Sequence, residues 1–452
     1  MPRIIRQTLL SARDLAITAG PFVLLALCLL AGAYYVLDPT PPKRVVLATG
    51  PQQSDYAEFG KRYAAELARY GIRVELRSTN GAAENRELLR DPAQNIDLGF
   101  IVGGSSEALS KADEDEETLT SLGSLFFEPV WLFYRQDLAH RLPGRRFSSL
   151  AELKGLRISL GGPGSGVDNL ARKLLHANGV ELEDLRVSRL ARTPAVAAFL
   201  EGQLDAVMLV SAPESPMVQM LLRTPGVRLF EFPQNEAYAR RFSFLRPVVL
   251  PRGVVDLGRD LPSRNIRLVA PTAMLVAREG THPALVQLFV QAAQRIHGGP
   301  GWFSRAAQFP SPENIELPLA SEAERFYKSG PPLLERHLPF WLANLIDRMW
   351  VALVSIIAVL IPLSRVVPPL YALRVRSRIF RWYRDLRSIE YERSNGDTPQ
   401  SELLGRLNRL DAKAETVVVP LAYTDELYRL RAHIRLVREQ LETTRPREVS
   451  AN

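Results

Sequence analysis

Two stretches of the chain are apolar along their whole length. The long segment between them alternates short apolar runs with apolar residues at helical spacing. The first stretch covers residues 15–37 around Pro21-Phe-Val-Leu-Leu-Ala-Leu-Cys-Leu-Leu30, long enough to cross a hydrocarbon layer of roughly 30 Å. The second covers residues 349–371. Its core, Trp350 to Leu363, reaches that length only with Val366 to Leu370 added, and Pro362, Pro368 and Pro369 are expected to kink or end the helix.

The segment between reads as strand, helix, strand, helix, strand, twice over. Val45-Val-Leu-Ala48 is a strand, Phe59, Tyr63, Leu67 and Tyr70 mark a helix, Ile72, Val74 and Leu76 alternate, and Ile96 to Val102 closes the unit. The pattern recurs with Leu156 to Leu160, a helix over Asp168 to Asn178, Leu185 to Ser188, a helix over Thr193 to Glu201, and Asp205 to Val210. Each unit predicts a parallel sheet. The fold class expected is therefore α/β, two-lobed, flanked by two membrane helices and a helical tail. Ligands of open α/β sheets bind beyond the carboxyl ends of strands, here at Thr49–Tyr56, Ser78–Gly81, Gly161–Val167 and Ser211–Pro213. The turn Gly161-Gly-Pro-Gly-Ser-Gly166 opens a helix and suits an anion, but Val167 and Asp168 stand where a nucleotide-binding loop needs Lys and Ser or Thr.

Arg3, Arg6 and Arg13 precede the first span, and Arg374, Arg376, Arg378, Arg381, Arg384 and Arg387 follow the second. Positive charge marks the cytoplasmic side. The expected order is a cytoplasmic N-terminus (1–14), a span through the lipid bilayer (15–37), an external domain (44–335), a second span (349–371) and a cytoplasmic tail (372–452). A cleaved signal peptide is the alternative for the first span, because Ala31-Gly32-Ala33 has the small-x-small form. In the tail, Leu427, Leu430, Ile434, Val437 and Leu441 form a stripe and Leu403, Leu407 and Leu410 a shorter one, with breaks at Asn395-Gly396 and Pro420. A helical hairpin or a homodimer through these helices satisfies both. The acidic run Asp113–Glu117 reads as a solvated helix face.

Length and composition narrow the function. The 452 residues imply two or three folded units, and 46% apolar with 23% charged is globular. The net charge of +8 does not point to nucleic acid, since its densest cluster adjoins an apolar span. Cys28 is the only cysteine, which excludes an intrachain disulfide and thiolate zinc sites. The six histidines lack the i, i+4 spacing of a metal pair. Neither a metal, nor a cofactor, nor an enzyme's nucleophile–base spacing is expected.

Ala48-Thr-Gly50, Ser78-Thr-Asn-Gly-Ala-Ala-Glu-Asn85, Asp97-Leu-Gly-Phe100, Glu128-Pro129, Leu153-Lys-Gly-Leu-Arg-Ile-Ser159, the glycine turn and Gly202-Gln-Leu-Asp-Ala206 occur in an order that resembles the TAXI family. These are solute-receptor subunits of tripartite (TRAP) transporters. The Arg-rich continuation Arg376-Ser-Arg-Ile-Phe-Arg-Trp-Tyr383 is similar to a membrane-anchored branch. The resemblance implies a type II periplasmic-binding fold with lobe 1 at 44–127 plus 240–335 and lobe 2 at 128–239, in a bacterial inner membrane with the domain facing the periplasm. It further implies a small polar solute, carboxylate or amino-acid-like, TRAP permease subunits as partners, and ligand contacts at Ser54, Tyr56, Asn80, Glu128, Ser165, Gly166, Val167 and Ser211. Asp55 stands where the family tends to carry an aromatic, which disfavours a plain dicarboxylate and tolerates an ammonium group. A membrane-anchored sensor that signals to the tail is the competing function.

Overall fold

The computed structural model describes residues 3–105, 119–139, 147–162, 165–395, 398–416 and 424–443. The acidic run Asp113–Glu117, Pro163 and Gly164 of the glycine turn, Gly396 and Pro420 lie outside them. The chain divides into residues 40–345 and a unit made of residues 1–39 with 346–452.

Residues 40–345 hold twelve described strands: β1 Arg44–Ala48, β2 Arg73–Arg77, β3 Leu98–Val102, β4 Leu119–Phe127, β5 Val130–Arg135, β6 Arg157–Ser159, β7 Arg186–Ser188, β8 Ala206–Val210, β9 Val227–Leu229, β10 Arg246–Leu250, β11 Ile266–Ala270 and β12 Thr272–Arg278. They form one sheet in the order β2-β1-β3-β12-β4, another in the order β7-β6-β8-β5-β9, and a ribbon β10-β11. β3 and β8 are apolar and buried throughout, as strands covered on both faces must be.

The two sheets repeat one device. Asp97, just before β3, accepts the Val46 N–H of β1 at 2.7 Å. Asp205, just before β8, accepts the Arg157 N–H of β6 at 2.9 Å and its guanidinium at 2.7 Å. Each carboxylate pins the start of a central strand to its parallel neighbour.

The strands of each expected unit are parallel, β2-β1-β3 in one sheet and β7-β6-β8 in the other, and each sheet also carries antiparallel strands. β12 runs antiparallel to β3 and β4, and β5 runs antiparallel to β8 and β9. β5 follows β4 directly across Glu128-Pro129, with no helix to carry the chain back along the sheet, and β12 follows the β10-β11 ribbon in the same way. The chain leaves the first sheet across Glu128-Pro129 and returns through the β10-β11 ribbon and Pro271. The Glu128 N–H donates to the Pro271 carbonyl at 3.0 Å, so the two crossings are bonded to each other.

In the other unit, helices Val367–Asn395, Gln400–Thr416 and Thr424–Thr443 pack around Leu386, Ile389, Leu407, Leu410, Leu430, Ile434 and Val437. Arg406–Glu392 at 2.6 Å and Arg438–Asp411 at 2.7 Å cross between them. The apolar stripes expected to form a hairpin or a dimer are thus covered by a third helix of the same chain. Among the described residues, Ala16–Leu37 and the run Phe340–Asn395 are long and apolar enough to cross a membrane. Pro362 does not end its helix. The break falls at Arg365-Val366, so that Pro368 and Pro369 occupy the first turn of the next helix, where a missing N–H costs nothing.

Candidate functional site

Four helices begin at the carboxyl ends of the strands and point their N-termini at one place. They are Asp55–Ala68, capped by Ser54, and Ala82–Arg90 after Gly81 from the first sheet, with Val167–Ala177 after Gly166 and Arg192–Leu200 after Ala191 from the second. Their first residues line a cavity of about 290 Å³, together with Asn80, Glu128, Ser159, Gly161, Gly162, Ser165, Arg189 and Met208. Each N-terminus contributes partial positive charge, and Arg189 and Arg192 add full charges.

Local sequence explains how the loops are held. Asn85 is fully buried, and its amide donates to the Thr49 carbonyl at 2.6 Å and the Phe100 carbonyl at 2.8 Å, while Thr79 donates to its oxygen at 2.7 Å. The Ser78–Asn85 motif therefore ties the end of β1 to the middle of β3. Gly166 has φ +75°, a conformation that favours glycine, and a Cβ there would stand 3.1 Å from the Ser105 Cβ of the opposite lobe.

Of the site residues expected from sequence, Ser54, Tyr56, Asn80, Glu128, Ser165 and Val167 line the cavity. Gly166 and Ser211 border it through their neighbours. Most of their polar groups already have partners. The Ser165 hydroxyl donates to the Gly162 carbonyl at 2.7 Å. The Asn80 amide and backbone N–H both donate to Glu84, at 2.6 and 2.8 Å. Ser54 accepts the Ala57 N–H as a helix cap at 3.3 Å. The Tyr56 ring stacks on Phe100 at 5.0 Å, and its hydroxyl bonds to Glu128.

Asp55 is the main polar link across the cleft. Its Oδ2 accepts the Ser211 hydroxyl at 2.5 Å and the Ala212 N–H at 2.9 Å, both from the far lobe. Burial pushes its carboxyl up, and nearby Arg192, Ser211 and Ala212 oppose that. Glu128 is pushed up to about 8 by burial and by the Asp55 charge, against the Tyr56 hydrogen bond and Arg192. Burial and Glu128 together raise Tyr56 well above its ordinary range. Near neutral pH the cleft thus holds a protonated Glu128 and two guanidinium groups. Arg192 itself donates to the Ser211 hydroxyl at 3.4 Å and the Val210 carbonyl at 3.2 Å.

A larger hollow of about 640 Å³ lies beside this one and shares Ser54 and Asp55. Its walls are chiefly Phe59, Phe126, Met217, Met220 and Ile296. The smaller cavity is the better candidate, because the helix N-termini and strand ends converge there.

A family model described as NMT1-like matches residues 47–328. The chain belongs to the NMT1-like family. The match covers the strands of both five-stranded sheets apart from the first residues of β1. Among solved structures, this NMT1-like chain is similar to the periplasmic aliphatic sulphonate binding protein SsuA from Escherichia coli (16% identity, 68% of this chain and 75% of that one, TM-score 0.35). It is also similar to PhnD1 from Prochlorococcus marinus in complex with methylphosphonate (14%, 56% and 84%, TM-score 0.37). A protein from Bordetella bronchiseptica RB50 matches at 17% identity over 56% and 70%, with TM-score 0.38. The likenesses are partial, and the two-lobed α/β assignment rests on the sheets described above and on the family.

Arg189, Arg192 and Ser159 line the cavity but were not singled out as site residues in the sequence. The signal for Ser159 was its place as the last residue of β6, and for Arg192 its place in the first turn of a helix.

Proposed function

We propose that this NMT1-like chain is an extracytoplasmic solute receptor of the TAXI type, anchored in the bacterial inner membrane by two spans. It captures a small carboxylate or amino-acid-like solute between its lobes and presents it to a TRAP-type permease. The observation that carries the reading is the convergence of four helix N-termini and two arginines on one interlobe cavity. That arrangement stabilises an anion without a metal. Asp55 and Glu128 line the same cavity and offer a place for an ammonium or hydroxyl group.

The self-contained helical core of the tail favours a second reading, a sensor whose solute occupancy is read by a cytoplasmic partner. Thermal melting of the full chain in detergent against amino acids, small carboxylates and uncharged sugars tests the first reading. Stabilisation by the first two classes and not by sugars is expected. A chain protected by none of them is no receptor for such solutes.

A further inference from the structure

The receptor reading leaves open which group holds the solute's negative charge. The glycine-rich turn is the obvious choice from sequence, but its one hydroxyl, on Ser165, donates back into the turn. Hydroxyl and amide groups elsewhere in the cleft are similarly engaged: Tyr56 with Glu128, Asn80 with Glu84, Ser211 with Asp55.

Ser159 differs. It is fully buried at the carboxyl end of β6, it lines the cavity, and its hydroxyl meets no partner. Its position is fixed on both sides, because it sits opposite Ser188 of β7 and Val207 of β8 in the sheet. A buried hydroxyl without a partner is rare and costly, and a ligand that completes it removes the cost. Arg192 lines the same cavity, and its planar fork has N–H donors beyond those that hold Ser211 and Val210. A fork of this kind matches the two oxygens of a carboxylate.

We propose that Ser159 and Arg192 form the seat for the carboxylate of the bound solute, displacing the glycine-rich turn from that role. The inference rests on the receptor reading. It assigns the turn a different task, that of fitting closely against the other lobe at Gly166. It also places the solute's negative end on the second lobe.

The test uses the full chain in detergent, with acetate, glutarate and L-glutamate as probes and acetamide and glutaramide as their uncharged counterparts. Carboxylates are expected to raise the melting temperature and amides to leave it unchanged. Ser159→Ala, melting alone at or above the wild-type temperature because it removes an unpartnered buried hydroxyl, should need roughly tenfold to hundredfold more carboxylate for the same shift. Arg192→Gln should lose the response altogether. A Ser159→Ala chain that responds like wild type while carboxylates still bind overturns the seat and leaves the receptor reading standing. Loss of binding in Ser165→Ala with retention in Ser159→Ala returns the anion to the glycine turn and overturns it likewise. Protection by amides as strong as by carboxylates overturns it through the ligand class. A wild-type chain that no probe protects overturns the seat and the receptor reading together.

Discussion

Glu128 holds a proton that an ordinary glutamate loses below neutral pH, and His297 refuses one that an ordinary histidine accepts. Burial and Asp55 raise Glu128 from 4.5 to about 8. Between those values the folded state binds more protons than the unfolded one, so this group's contribution is complete below pH 4.5 and is lost as pH rises through 8. His297 sits among the rings of Phe59, Tyr63 and Phe126, with Arg62 also acting on it, and burial lowers it from 6.5 to about 3. Its contribution is present above pH 6.5 and is lost as pH falls toward 3. Wild-type melting temperature should therefore decline from pH 6.5 to 8, by the equivalent of a few kcal/mol at most. Glu128→Gln should flatten that decline while keeping the acid-side loss. An unaltered alkaline decline in Glu128→Gln would assign it to another group. Neither residue's titration was legible in the sequence, because both shifts come from side chains brought together over long separations. Ser159 was hidden for the same reason: that its hydroxyl lacks a partner depends on what β7 and β8 bring beside it. By contrast Tyr56, Glu128 and Ser165 were legible from their places after strands and at the crossover.

Elements were read more easily than their directions. Alternation and helical spacing located the helices and parallel strands of both halves, since burial on one face leaves a period in the sequence. β5 and β12 carry no such period. They are buried on both faces, and only the crossover geometry reverses them. The tail shows a related limit: its stripes were visible, but the third helix that covers them, Val367–Asn395, reads as a basic continuation of an apolar run. Topology is the prediction at this scale. Arginines precede the first apolar run and follow the second, which predicts both ends inside and residues 40–345 outside. With Cys28→Ser as background, a cysteine at Glu183 should react with an impermeant maleimide in intact spheroplasts, and one at Arg435 only after lysis. Labelling at Arg435 in intact spheroplasts would reverse the orientation. Cleavage of the first span would show as a mature chain lacking its first thirty or so residues.

Within the unit 40–345, several hydrogen bonds of the protein's own join the two lobes. Asp55 reaches Ser211 and Ala212, Thr193 donates to Gln53 at 3.2 Å, Asn169 donates to the Ser105 carbonyl at 2.8 Å, and Lys173 donates to the Gly104 carbonyl at 3.1 Å. Each joins the first lobe to the second. Lobes that swing about paired crossovers open and close as rigid bodies, and the balance is set by contacts present in one form only. Thr193–Gln53 is exposed and contributes little. Asp55 differs, because its carboxyl is buried and accepts two hydrogen bonds, each contributing roughly 1.5–3 kcal/mol where one partner is charged. Its raised pKa shows that burial offsets part of this gain, so the net is expected toward the lower end. Asp55→Ala should then shift the equilibrium toward the open form by about tenfold or more. Spin labels on Glu87→Cys and Glu183→Cys, one per lobe, read the change as a longer distance in Asp55→Ala than in the parent with Cys28→Ser. Adding L-glutamate should shorten it again, because solute contacts replace the missing latch. An unchanged distance in Asp55→Ala would mean that the crossovers themselves hold the lobes together. Solute would then have to enter through loop motion rather than through hinge opening.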